Sequence, residues 1–325
     1  MRDAVKKERY QTVAFFIWPP RAVTAGRLFF TAGLLALFAG CAKVPDLGIT
    51  PLKEPTLAAL QNHLLTHKAD LDMFRLRGPF PVTVDTNHEI GLSSSEHINS
   101  DLFLAAPAGK APLVIFMHGY ASTKESHSYQ AMHLASWGLH SMSVQLPNTG
   151  SWNANGKTLA RIVNLIQRSP ELVDRRVDVD RIILVGHSFG GTSVCIALAE
   201  GARAAGGILL DPASVGRDLP AYLRKIAAPV IVLGADEHVS ETRNRDFFYR
   251  YIQAGVGEIS IKNASHEDAQ FPSQLAQTTE ELQVSFVSAL TAADISLSAT
   301  GKFDYAWTSF DGAIQNGKLF NAKRK

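Results

Sequence analysis

Five short apolar segments mark the centre of the chain: Leu113–Met117 (LVIFM), Arg181–Val185 (RIILV), Gly207–Leu210, Val230–Leu233 and Ile259–Ile261. They have the length of strands and little polar alternation, the pattern of strands covered on both faces in a parallel sheet. Ser141–Gln145 reads as another strand, and Phe80–Asp85 and Asp101–Ala105 read as short strands of an opening meander. Helical patterns over Ser126–Trp137, Lys157–Arg168, Gly190–Ala204 and Glu241–Gln253 fall between the strands. Gln274–Thr291 predicts a closing helix, and Pro55 to Met73 a leading one. This rhythm predicts an α/β fold with a mostly parallel central sheet and helices on both faces. There is no internal repeat and no low-complexity tract.

The first 41 residues do not share that rhythm. Leu28–Ala39 (LFFTAGLLALFA) is apolar for about a dozen residues, short of the roughly 20 that a membrane span needs, and so predicts a signal-peptide core. Phe38-Ala39-Gly40-Cys41 resembles a bacterial lipobox, with Phe38 in place of the usual Leu. That resemblance implies lipidation of Cys41 and a place in the cell envelope. Ala42, rather than Asp, points to the outer membrane, and a periplasmic or secreted form is the alternative. Residues 42–75 read as a Pro-containing tether and leading helix, and 76–325 as the folded domain.

Charge adds one exclusion. Lys and Arg total 32 against 30 Asp and Glu, for a net charge of +2 over 325 residues. Without residues 1–40 the remainder carries −2, which gives no electrostatic reason to expect a nucleic-acid partner. The tail Lys323-Arg324-Lys325 reads as solvated. Of the two cysteines, Cys195 falls on an apolar helical pattern and reads as core. His63 and His67 share a helix face, but no third ligand is near, so the pair reads as a solvated or core face rather than a metal site.

Gly186-His187-Ser188-Phe189-Gly190 supplies the chemistry. It matches G-x-S-x-G between a predicted strand and a predicted helix, the context in which a serine is held on a sharp turn with its hydroxyl projecting. Side chains at 186 and 190 would collide with the neighbouring chain. Downstream lie two histidines, His238 and His266, and His266 follows the last predicted strand, at the sheet edge where open α/β sheets gather function. It is the expected general base. Asp211 and Asp236 each follow a strand, and either suits the third position. The N–H groups of Phe189 and Tyr120 are the expected oxyanion donors, and His118 reads as structural. Trp152, in a Gly/Asn-rich stretch, is a candidate for the acyl pocket.

His118-Gly119-Tyr120, Leu134 to Gly138, Val144 to Pro147, Gly186 to Gly191 and Leu209 to Pro212 together resemble the α/β-hydrolases. Within that fold they are similar to the chlorophyllase, cutinase-like polyester hydrolase and platelet-activating-factor acetylhydrolase branch. The resemblance covers residues 80 to 292. It implies a serine carboxylester hydrolase, lipase-like, that works through an acyl-enzyme on a small or accessible ester, without cofactor. In the chlorophyllase and acetylhydrolase groups the acid matches Asp211, the preferred reading, and in the polyester hydrolases it matches Asp236, the alternative. A non-catalytic envelope binding protein, or an acyltransferase with the same triad, are the rival readings.

Overall fold

The computed structural model describes residues 77–106, 109–147, 150–236, 245–270 and 304–325. The expectations for Cys41, His63, His67, His238, the leading helix and the helix over 274–291 lie outside them. Among the described residues a nine-stranded sheet runs in the order β1-β2-β4-β3-β5-β6-β7-β8-β9. The strands are β1 Val82–Gly91, β2 His97–Ala105, β3 Ala111–Met117, β4 His140–Val144, β5 Val177–His187, β6 Gly206–Leu210, β7 Val230–Gly234, β8 Val256–Ile261 and β9 Leu319–Arg324. All neighbours from β4 to β8 are parallel. The pairs β1–β2, β2–β4 and β8–β9 are antiparallel.

The apolar runs conceal a two-fold alternation. On β3, Leu113, Ile115 and Met117 face one core, while Val114 and Phe116 face the other. On β5, Ile182 and Leu184 share the first core, and Ile183 and Val185 the second. Each strand is thus amphiphilic toward two oils, the physical content of a sheet sandwiched by helices. Helix α1 (Ser128–Ser136) and α6 (Asp304–Gln315) cover one face through Leu134 and Phe310. Helices α2 (Trp152–Arg168), α3 (Phe189–Ala199), α4 (Leu219–Leu223) and α5 (Arg245–Tyr251) cover the other, with Ile162, Val194, Leu223 and Phe248 in its core. Cys195 lies there too, buried and free.

Several boundaries differ from the expectation. Helix α2 begins at Trp152 rather than Lys157, so Trp152 opens a helix instead of sitting in a loop. Asn153, Asn155 and Gly156 are poor helix formers, but the close crossing of α2 on α3 holds them. A Cβ at Gly156 would stand 2.4 Å from Ile196 Cβ. Helix α3 stops at Ala199, where Gly201 at φ +88 turns the chain. The tail is not merely solvated: Lys323 and Arg324 belong to β9, and Lys325 exchanges two backbone hydrogen bonds with Val256. The adjacent charges of Lys323 and Arg324 hid this edge strand. Among the described residues no helix is long and apolar enough to cross a membrane.

Two buried histidines make the fold acid-sensitive. His140 is fully buried on β4 with neither ring nitrogen partnered, and burial lowers its pKa to about 4. His127 is also fully buried and lowered to about 4, chiefly by burial, which outweighs its hydrogen bond to Gln130. The unfolded chain binds these protons from about pH 6.5 downward, and the folded chain does not. The stability they confer is therefore complete above pH 6.5 and lost as pH falls toward 4, by up to about 3 kcal/mol for each. The melting temperature is expected to fall steeply between pH 6.5 and 4.5, and His140→Phe to flatten that slope in a thermal-shift titration.

Candidate active site

The strand β5 ends at His187 and helix α3 starts at Phe189, leaving a single residue for the turn. Ser188 therefore adopts φ 53°, ψ −119°, a conformation that costs an L-residue on the order of 1–3 kcal/mol. Three hydrogen bonds hold it there. Its N–H donates to Leu210 O (3.1 Å), and its carbonyl accepts from Ala213 N (3.0 Å) and Thr192 N (3.3 Å). The flanking glycines are required by space. A Cβ on Gly186 would lie 2.3 Å from Gly190 O, and one on Gly190 would lie 2.2 Å from Met117 O. The second contact brings the end of β3 against the turn, and with it the loop His118-Gly119-Tyr120. A Cβ on Gly119 would meet Ser188 Cβ at 3.2 Å.

That loop is fixed by His118. The ring is fully buried, donates from Nδ1 to Gly119 O (2.8 Å) and accepts at Nε2 from Leu146 N–H and the Gln145 amide (both 3.1 Å). Burial, only partly opposed by the Gly119 hydrogen bond, lowers its pKa and keeps it neutral, which the accepting Nε2 requires. The N–H groups of Phe189 and Tyr120 have no acceptor among the described residues. Phe189 N–H is the first of a helix, where backbone donors are unsatisfied by construction. The rings of Tyr120 and Trp152 lie 5.5 and 5.6 Å from that of Phe189, and Tyr120 is 62% exposed.

The two candidate carboxylates have separate partners. Asp211 follows β6, one residue beyond the Leu210 carbonyl that binds Ser188, and is 1% exposed. Its Oδ1 accepts Ala235 N–H at 3.2 Å, and its Oδ2 accepts Nδ1–H of His266. A carboxylate can only accept, so Nδ1 carries the proton and Nε2 of neutral His266 keeps its lone pair. Nε2 has no partner among the described residues. Burial disfavours the imidazolium, but the hydrogen bond and charge of Asp211, with the charge of Glu267, outweigh it and raise the pKa above 6.5. Asp236, after β7, instead accepts Asn263 N–H at 2.8 Å and donates its own N–H to Ala264 O (2.8 Å). It braces the approach to the histidine turn from below.

His266 opens a short 3₁₀ turn, His266–Ala269, capped reciprocally by Ser265 and Asp268. No hydrogen bond joins Ser188 Oγ to its imidazole. Both adjoin the same neighbours: Asp211 binds the His266 ring and directly follows Leu210, whose carbonyl accepts Ser188 N–H, and the ring of His187, next to Ser188 in the chain, has its centroid 4.5 Å from that of His266. Side-chain hydrogen bonds from Ser122 to Gln270 (3.2 Å) and from Gln130 to Ala269 O (2.6 Å) tie the turn to the segment after β3. Sequence reasoning gave no sign of His187, Gln130 or Gln145 as site residues. His187 occupies the unrestricted position of the motif, and the two glutamines reach the site through contacts distant in sequence, Gln130 to Ala269 and Gln145 to His118. No group of His, Cys, Asp or Glu suited to a metal ion occurs among the described residues.

A comparison with curated proteins returns no match. A model of the alpha/beta hydrolase family matches residues 114–300, more than half of the chain, from within β3 to beyond the histidine turn. With the sheet order, the one-residue turn at Ser188 and the facing histidine turn, this match shows that the chain belongs to the alpha/beta hydrolase family.

Proposed function

We propose that the protein is a serine carboxylester hydrolase in which Ser188 is the nucleophile, His266 the general base and Asp211 the acid that orients it. The observation that carries this reading is the hydrogen bond of Asp211 to His266 Nδ1, which leaves Nε2 of His266 basic, with Asp211 directly following the Leu210 carbonyl that accepts Ser188 N–H. In the first step Nε2 takes the Ser188 proton as Oγ adds to the ester carbonyl. The oxyanion is met by the N–H groups of Phe189 and Tyr120. Collapse breaks the C–O bond, and the imidazolium returns its proton to the leaving alcohol. Water then adds to the acyl-enzyme with the same base, releasing the carboxylic acid and restoring Ser188. The rings of Tyr120, Phe189 and Trp152 offer apolar surface to a small or accessible ester.

The placement of this chemistry is also proposed. Leu28–Ala39 and Cys41 fit a signal peptide and lipid anchor, which would put the enzyme on the envelope, with the outer membrane as its default site. Cys41→Ser is expected to move the protein from the membrane to the soluble fraction and to remove a lipid-sized mass from its N-terminal peptide.

A fluorophosphonate probe is expected to label Ser188 in the folded protein, and Ser188→Ala to abolish both labelling and ester turnover. Absence of an adduct on folded protein would overturn the reading in favour of a binding module, and transfer to an added alcohol in preference to water would mark an acyltransferase. Asp211→Asn is expected to lower kcat by roughly 10³- to 10⁴-fold. The base must be unprotonated, so kcat/KM rises with pH through the pKa of His266. Asp211 raises that pKa, and the residual activity of Asp211→Asn should therefore rise at lower pH than that of the native enzyme.

A further inference from the structure

We propose that His187 is a positioning residue, which locks the turn carrying His266 to the elbow carrying Ser188. This rests on the hydrolase reading above and adds a residue to it. His187 Nε2 lies 2.9 Å from the backbone carbonyl of His266. A carbonyl accepts only, so the ring donates from Nε2–H, and Nδ1 is left as a bare acceptor. Nδ1 is buried and has no partner, and it stands 3.1 Å from where a Cβ on Gly119 would be. One ring thus joins two parts of the site, the elbow through its own backbone and the histidine turn through Nε2–H, and its Nδ1 edge occupies the space that a side chain at Gly119 would need.

An orphaned buried nitrogen destabilises the fold, a penalty that an apolar side chain at 187 would avoid. What that side chain would lack is the donor to His266 O. The far end of the same turn is held in a matching way. Gln130, fully buried, donates its amide to Ala269 O (2.6 Å), and its own oxygen accepts His127 Nδ1–H (2.6 Å). The His127 ring stacks on Phe116 of β3 and meets His187 edge-on at 6.2 Å. The first and last carbonyls of the turn are therefore both gripped, one by His187 at the end of β5 and the other by Gln130 of α1. Only the His187 grip comes from the residue next to the nucleophile, so any drift of Ser188 is shared by His266. The distance between their reacting atoms is what a proton transfer is sensitive to.

His187→Leu and His187→Gln separate positioning from mere packing, since the glutamine amide can restore a donor to His266 O. With rates normalised to sites titrated by a fluorophosphonate, His187→Leu is expected to lose about 10- to 100-fold in kcat with KM within about two-fold of native. His187→Gln is expected to recover most of that loss. A native kcat per titrated site in His187→Leu, or no recovery in His187→Gln, overturns the proposal. Hydrogen exchange of the peptide spanning 262–270 gives a readout independent of turnover. It should quicken in His187→Leu and return toward native in His187→Gln, and unchanged exchange in His187→Leu overturns the clamp even if the native chain proves inactive on esters.

Discussion

The site depends on a steric constraint: a buried strand must become a buried helix with one residue in between. Ser188 takes up the whole turn in its backbone, at φ 53°, and the strain is held by hydrogen bonds to β6 and to the chain just after it. The same close fit explains why the loop His118-Gly119-Tyr120 is where it is. Gly190 lets α3 press on the Met117 and His118 carbonyls, so β3 and β5 deliver their ends to one point. Hydrophobic burial on both sheet faces, not any local preference, supplies the free energy that keeps a strained serine in place.

Electrostatics then differentiates groups that look alike in the chain. Four histidines, His118, His127, His187 and His266, surround the elbow, and three are driven toward neutrality by burial. Only His266 has a carboxylate on its ring, and only its pKa rises. Neutral neighbours limit the repulsion that an imidazolium would meet there. Asp211 and Asp236 are both buried, yet it is Asp211 that holds the His266 ring, whereas Asp236 accepts the Asn263 N–H. The division follows from register: β6 ends beside the elbow, whereas β7 ends one strand further out, under the Asn263–Ala264 bend.

Much of this was legible beforehand, and for identifiable reasons. Strands β3, β5, β6 and β7 announced themselves because burial on both faces leaves continuous apolar runs, and the elbow because its steric demands restrict it to glycines. Asp211 and Asp236 could not be told apart from residues alone, since both follow a strand and the choice depends on where the histidine turn lands. The start of α2 was missed because its Asn and Gly residues obey packing on α3 rather than propensity. Strand β9 was missed because an edge strand alternates, and its Lys323 reaches Asp246 and Glu258 in place of a core.

That last strand has a bearing on how the molecule is made. Residues 319–324 close the outer side of β8, more than fifty positions after it in the chain. Before they pair with it, β8 presents a row of open amides and carbonyls, the kind of border on which two unfinished copies could pair. The lysine and arginine side chains that later seal it also make it a poor template once in place, because a second strand would have to approach through like charge.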